Sequence, residues 1–374
     1  MTPALSVYLD LVRLIAAGLV MVYHMNFKPV TAGQLWRIAS HGNESVIIFF
    51  VLSGFVISFV ASRKERSASS YVVARVARIY SVAVIAVPVT LLADAIGTYL
   101  APTMYHGLSF ANQNTNWWDV IQCLTFVNEI WFNHIIIGTD GPYWSLGFEV
   151  WYYTIFGIML FNKNLKLTLS VILMAVVGPK IILYFPIWLL GAATFRLIAR
   201  SKAGGKPLLP PFGGSLLFVL TPVLYMALHR HQQIYVSVFG SNFALNRETA
   251  LTWVYYAGVA ILFAAHLVGF ASMPDAAGRS LLRLAPIIRW AAGASFTLYL
   301  VHQPLIYCFA AASPWPLASL AHVLFVGLGT LVTVLLIAEL GERRKRVWQI
   351  AIQRGLKLLR RKASRQSALT GDPM

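Results

Sequence analysis

The chain of 374 residues is poor in charge: only 11% of it is Asp, Glu, Lys or Arg, against about a quarter in an average soluble domain. That shortage excludes an ordinary water-facing surface. Cysteine is nearly absent too. Cys123 and Cys308 both lie in apolar runs, too few for a disulfide framework or a thiolate zinc site. The histidines show no spacing such as HExxH, so no metal is expected. No stretch rich in Gly, Ser or Pro divides the chain into separately folded units. A secretory leader is also missing by pattern: the first apolar run has no basic residues before it, contains Asp10 and Arg13, and precedes no small-residue cleavage site. It is expected to stay as a first helix.

What remains is apolar. Hydrophobic residues make up 58% of the chain, in runs near 6–27, 43–62, 75–97, 142–161, 166–179, 181–199, 212–229, 250–271, 286–311 and 318–340. At about 20 residues per crossing, these runs predict an all-α, polytopic transmembrane bundle of about ten helices. One membrane domain would fill residues 1–342, followed by a basic amphipathic tail over 343–374 that ends in disorder. Residues 117–138 carry Asp119, Gln122, Asn128, Glu129, Asn133 and His134. They read as an interfacial or re-entrant segment within a polar loop rather than as another span.

Net charge is +17, which on a soluble protein would suggest nucleic acid. Here the basic residues fall in short loops, Arg66 and Lys206 among them, and in the tail, so no nucleic-acid partner is expected. With both termini cytoplasmic, all but five of the 30 Lys and Arg lie inside; the exceptions are Lys28, Arg37, Lys180, Arg230 and Arg247. No Lys or Arg occurs between Arg78 and Lys163, a stretch that includes the long outer loop at about 98–141. The tail suits attraction to an anionic bilayer.

The few ionisable groups inside the runs carry the functional information, because a charge in a bilayer is costly and needs a purpose. In "DLVRLIAAGLVMVYH", Arg13 and His24 are eleven residues apart, close to three turns and about 16 Å of rise, so both fall on nearly one face. Asp10 is placed to pair with Arg13. Glu149 in "SLGFEVWYY" and His302 in "SFTLYLVHQP" reach a depth similar to that of His24. Glu149 would either form a structural ion pair or fix the tautomer of a catalytic histidine. In "SYVVARVARIY", Arg75 and Arg78 share a face at the start of a helix, a good phosphate site if they are more than boundary charges. His266 and His322 read as satisfied core residues. His41, His106, His134, His229 and His231 read as outer-loop residues. Gly54 in "LSGF" permits close helix packing. A basic site below, a His/Glu site above and Arg13 between them suit transfer of a small group from a cytoplasmic phosphorylated donor to an acceptor beyond the membrane. A proton-coupled transporter or flippase for a glycan or small acid would use the same residue types.

At these residues the sequence resembles the acyltransferase 3 family of membrane O-acyltransferases. "LDLVRLIAAGLVMVYH" (9–24) is similar to the family's opening motif with ten residues between Arg13 and His24, although Leu11 stands where Gly is common. "FFVLSGFVIS" (49–58) matches the second-helix motif. "YVVARVARIY" (71–80) resembles Arg-x-x-Arg without the following Pro. "YWSLGFEVWYY" (143–153) resembles Trp-Ser-Leu-x-x-Glu-x-x-Tyr on Trp144, Ser145, Glu149 and Tyr152. "SFTLYLVHQPL" (295–305) matches the motif that contains His302. The family's Glu-Pro after the last helix has no clear counterpart in "AELGERRKR", so neither Glu339 nor Glu342 is assigned a role.

The resemblance implies a bacterial inner-membrane, multi-pass enzyme with an acyl-CoA donor, usually acetyl-CoA, and a hydroxyl acceptor on a surface polysaccharide, lipopolysaccharide or lipid-linked glycan. It implies His24 as catalytic base with Arg13 beside it, Glu149 supporting the site, and Arg75 and Arg78 on the donor's phosphates. Asp10, Trp144, Ser145, Tyr152 and His302 would support the site or bind substrate. The loops at 98–141 and 230–249 carry Asn and aromatic residues suited to sugars, including Asn112, Trp117, Trp118 and Tyr235.

Overall fold

A chain with so little charge must satisfy its backbone polar groups internally, and helices do so within one segment. The structure is a computed structural model that describes residues 1–65, 67–205, 208–231, 247–274 and 278–370, with backbone alone for 247 and 359–370. It is all-helical, with no strand among the described residues. Arg66, Lys206 and Tyr235 lie outside them. In chain order the main helices are α1 (Pro3–Met25), α2 (Gly42–Arg63), α3 (Ala68–Leu100), α4 (Trp117–Leu124), α5 (Trp144–Phe161) and α6 (Lys166–Val177). There follow α7 (Pro179–Ala203), α8 (Pro211–His229), α9 (Arg247–Ser272), α10 (Ala285–Ala292), α11 (Ser295–Ala312), α12 (Leu320–Leu340) and α13 (Lys345–Thr370). Among the described residues, seven helices are long and apolar enough to cross a membrane: α1, α2, α3, α7, α8, α9 and α12.

The sequence-based boundaries need two corrections. The run at 286–311 is not one helix. It breaks at Gly293–Ala294, where Glu342 accepts the N–H groups of Phe296 at 3.1 Å and Thr297 at 2.9 Å and so caps a new helix, α11. The third helix begins at Ala68 rather than 75, because Ser67 and Ser70 form a reciprocal capping box. At 33 residues it rises about 50 Å, more than the apolar layer is thick. The segment at 117–138 holds only the eight-residue α4, started by the Asn116 side chain, and then turns through positive φ at Phe126 and Trp131.

That segment folds down onto the α6–α7 turn. Trp131 N–H donates to the Val177 carbonyl at 2.9 Å, and Gly178 (φ 82°) leaves room for the Trp131 backbone and ring. At 12 residues α6 rises only about 18 Å, so the descending outer segment meets it within the bundle. The basic tail is helical from Lys345 to Thr370.

The core is built on α2, which packs against α1, α7 and α9, and on α11, which packs against α1, α3 and α12. The α2–α7 crossing is a reciprocal glycine contact. A Cβ on Gly54 would strike the Trp188 carbonyl, and one on Gly191 would strike the Val51 carbonyl. Small residues let the two backbones touch. His266 hydrogen-bonds to Tyr8 and to Thr221 (2.8 Å), and His322 to the Val30 carbonyl (2.6 Å) and Ser313 (2.7 Å), so both are satisfied core residues.

Candidate active site

Three cavities follow one another along α1. The outer one, about 380 Å³, is lined by His24 with Tyr23, Phe27, Asn43, Trp144 and Gln303, among others. A central one of about 80 Å³ is lined by Asp10, Arg13, Ser53, Arg78, Ser145 and Glu149. An inner one of about 270 Å³ is lined by Arg13, Arg78, Arg289, Glu342, Arg343 and Lys345. Val46 and Tyr299 belong to both the outer and central cavities; Arg13, Arg78 and Phe296 belong to both the central and inner ones. Arg13 and His24, placed on nearly one face by their spacing, thus line neighbouring cavities that share wall residues.

Thr2 caps α1 and Pro3 opens it, which starts the helix in the register that points Arg13 inward. Arg13 donates to Asp10 at 3.1 Å and to the Ala292 carbonyl, at the end of α10, at 3.2 Å. Its Nε is buried with no hydrogen-bond partner among the described residues. Asp10 thus holds Arg13, as the i,i+3 spacing suggests.

His24 lies against another imidazole. The rings of His24 and His302 are 5.1 Å apart, and His24 Nδ1 and His302 Nε2 are both buried without a hydrogen-bond partner among the described residues. His302 Nδ1 bonds to the Leu298 carbonyl at 2.9 Å, and since a carbonyl only accepts, that nitrogen carries the proton.

Among the described residues, Glu149 meets no histidine. Its Oε1 accepts from Ser53 and from Tyr153 (2.5 Å), and Ser53 in turn accepts from Trp188 Nε1 at 3.2 Å. The carboxylate faces the central cavity, which Arg13 and Arg78 also line. The expected common depth with His24 does not bring the two together: Glu149 lines the central cavity with Arg13, and His24 lines the outer one.

Arg75 and Arg78 part company. A step of three residues turns about 300° around a helix, leaving a 60° gap. Arg78 enters the central and inner cavities. Arg75 is buried, donates to Glu65 at 2.5 Å, and lies over the rings of Tyr71 and Tyr153, lining a separate lateral cavity between α3 and α5. Burial pushes the Glu65 carboxyl above the usual carboxylate range, and the Arg75 guanidinium pulls it back down. Both arginines sit well inside α3, so the expected help from a helix N-terminus is absent.

The other expected site residues divide as well. Trp144 lines the outer cavity and Ser145 the central one, where Ser145 accepts from Tyr299 at 2.8 Å. Tyr152 lines none of the three cavities. It is buried and donates to the Ile181 carbonyl at 2.9 Å, tying α5 to α7. Sequence reasoning missed Arg289, Arg343 and Lys345, read as loop and tail charges, and left Glu342 unassigned. It also missed Ser53, Tyr299 and His134, the last of which lines the outer cavity. The inner basic group runs along the chain from Arg13 to Lys345, so no local motif could have announced it.

The family model described as an acyltransferase domain, that of the acyltransferase 3 family, matches residues 6–339. Neither a curated protein nor a solved structure matches the chain.

Proposed function

Since the chain belongs to the acyltransferase 3 family, and its membrane-like helices make it a membrane acyltransferase, we propose that it moves an acyl group, acetyl in the first instance, from cytoplasmic acyl-CoA to a hydroxyl of a surface or lipid-linked glycan. The supporting observation is the line of cavities joined by Arg13, Arg78 and Phe296 on one side and by Val46 and Tyr299 on the other. The inner cavity suits phosphates: Arg13, Arg78, Arg289, Arg343 and Lys345 gather there around the single carboxylate of Glu342. Guanidinium forks bind phosphate bidentately. The chain would lie in a bacterial inner membrane with about ten crossings and both termini cytoplasmic, since that arrangement puts the inner cavity beside the basic loops and tail.

In this reading the donor's phosphates rest in the inner cavity and its thioester extends through the central one toward His24. The rise from Arg13 to His24, about 16 Å, is the distance to be covered. His24 takes the proton of the acceptor hydroxyl while the oxygen attacks the thioester carbonyl. Arg13 and Arg78, at the narrow point below, hold the donor by its phosphates. The C–S bond then breaks as the new C–O ester bond remains, and the imidazolium returns its proton to the departing thiolate.

The tautomer of His24 is set by His302 rather than by Glu149. With Nδ1–H bound to a carbonyl, His302 offers its Nε2 lone pair to a neighbouring N–H. A bond from His24 Nδ1–H would satisfy both buried nitrogens and leave His24 Nε2 as the base. Glu149 instead balances Arg13 and Arg78 at the narrow point.

A transporter of glycans would need a wider path than the central cavity of about 80 Å³. The discriminating experiment is thermal unfolding of the purified protein with and without acetyl-CoA, together with surface O-acetyl content in a His24→Ala strain. A stabilisation that requires Arg78, with O-acetyl lost in the variant, is expected. No stabilisation and unchanged O-acetyl would refute the reading.

A further inference from the structure

The outer cavity contains a second imidazole that the chemistry above does not use. His134 comes from the segment that folds down after α4, a loop by sequence, and lines the cavity together with His24. Its Nδ1 bonds to Glu129 Oε1 at 2.8 Å. Glu129 is buried, and its other oxygen, Oε2, accepts from Lys180 Nζ at 2.5 Å. Lys180, buried at the start of α7, also donates to the Asn133 carbonyl. The carboxylate therefore has its cation already, and His134 is an addition to a complete ion pair.

A carboxylate oxygen only accepts, so His134 Nδ1 carries the proton. The Nε2 atom then holds a lone pair, has no protein partner among the described residues, and is not sealed off as the orphaned nitrogens of His24 and His302 are. A ring fixed from behind by a carboxylate, which is itself fixed by an ammonium, presents its free nitrogen in a defined direction. A loop lock alone would be complete with Glu129, Lys180 and the Asn133 carbonyl. The remaining lining adds Asn43, Ser109 and Gln303 as polar groups and Trp144 as a flat ring. That mixture of a few convergent polar atoms and an aromatic face suits a polyhydroxylated ring.

We propose that His134, oriented by Glu129 and Lys180, is an acceptor-binding residue: it takes a hydrogen bond from one hydroxyl of a polyhydroxylated acceptor while a second hydroxyl of the same molecule lies against His24. The proposal rests on the acyl-transfer reading and adds the residue that selects among the acceptor's hydroxyls, at least two of which face the cavity. No bond is made or broken at His134. It sets which hydroxyl reaches the base.

The test uses full-length protein as wild type, His134→Phe and His134→Gln, each replacing the native copy in cells. One readout is the O-acetyl content of isolated surface glycan by proton NMR. The other is the shift in unfolding temperature that acetyl-CoA produces in each purified protein, which reports the donor half alone. His134→Phe is expected to lower O-acetyl content about tenfold or more, because a substrate hydroxyl loses its partner. His134→Gln, whose amide oxygen accepts in place of Nε2, is expected to stay within about threefold of wild type. The acetyl-CoA shift is expected to be the same in all three. Unchanged O-acetyl in His134→Phe would overturn the proposal. So would equal losses in both variants, which would mean the ring acts by shape, or a loss of the acetyl-CoA shift along with the O-acetyl. If wild type itself shows neither the shift nor any O-acetyl above a deletion strain, the acyl-transfer reading fails and this proposal fails with it.

Discussion

His24 and His302 stand ring to ring, 5.1 Å apart, each with a buried nitrogen that has no hydrogen-bond partner among the described residues. Two unpartnered polar atoms side by side in an apolar bundle cost about 1–3 kcal/mol each, and a single N–H···N bond removes both costs. In the acyl-transfer reading such a bond orients the base on α1 from α11, a helix almost three hundred residues away in sequence.

Replacing His302 tests that orientation. His302→Ala should lower transfer about 10- to 100-fold, whereas His24→Ala should remove nearly all of it, about 10²- to 10⁴-fold. The acetyl-CoA-induced rise in unfolding temperature should survive in both, which separates a fault in proton transfer from a fault in donor binding. Nitrogen-15 spectra of histidine-labelled protein should show His24 shifting from one neutral tautomer to a mixture in His302→Ala.

Arg75 and Arg78 should behave as different residues despite their shared motif. Arg78→Ala is expected to abolish the acetyl-CoA stabilisation, since Arg78 lines the central and inner cavities. Arg75→Ala leaves Glu65 without its buried partner and should destabilise the protein by about 3–5 kcal/mol. The increment that acetyl-CoA adds should remain. Thermal unfolding of both variants with and without acetyl-CoA decides the matter.

Glu149→Gln keeps an oxygen for Ser53 and Tyr153 but leaves Arg13 and Arg78 facing the central cavity with less balancing charge. Transfer should fall more than about tenfold, because the two guanidinium groups would reorient toward the remaining carboxylates. Ser53→Ala, which removes one donor and leaves the charge, should cost only about 1 kcal/mol of stability. Unfolding curves of the two variants, set beside their transfer rates, check both statements.

Gly54→Ala and Gly191→Ala should each open the α2–α7 crossing, since the added methyl meets a backbone carbonyl that has no rotamer to move. A loss of about 1–3 kcal/mol is expected from overpacking. Part of the activity should go with it, because Ser53, next to Gly54, holds Glu149. Gly18→Ala, with open space around its position, is the matched control and should be near neutral.

The sequence alone determined that this chain is a helical membrane protein with a mostly single-faced stripe of polar groups on α1. Low charge forces the backbone to bond within helices, and a three-turn spacing aligns Arg13 with His24 whatever surrounds them. Five ordered motifs then marked the family. Only the tertiary structure decided the partners: His302 and not Glu149 beside the base, Arg78 and not Arg75 in the passage, Glu342 capping α11, and a loop histidine brought into the outer cavity by a buried Glu129–Lys180 pair. The physical reason is that periodicity fixes the face and depth of a residue on its own helix. Which helix lies opposite is settled by packing between distant segments, here by two glycines that let α2 and α7 touch and by a break that starts α11 anew.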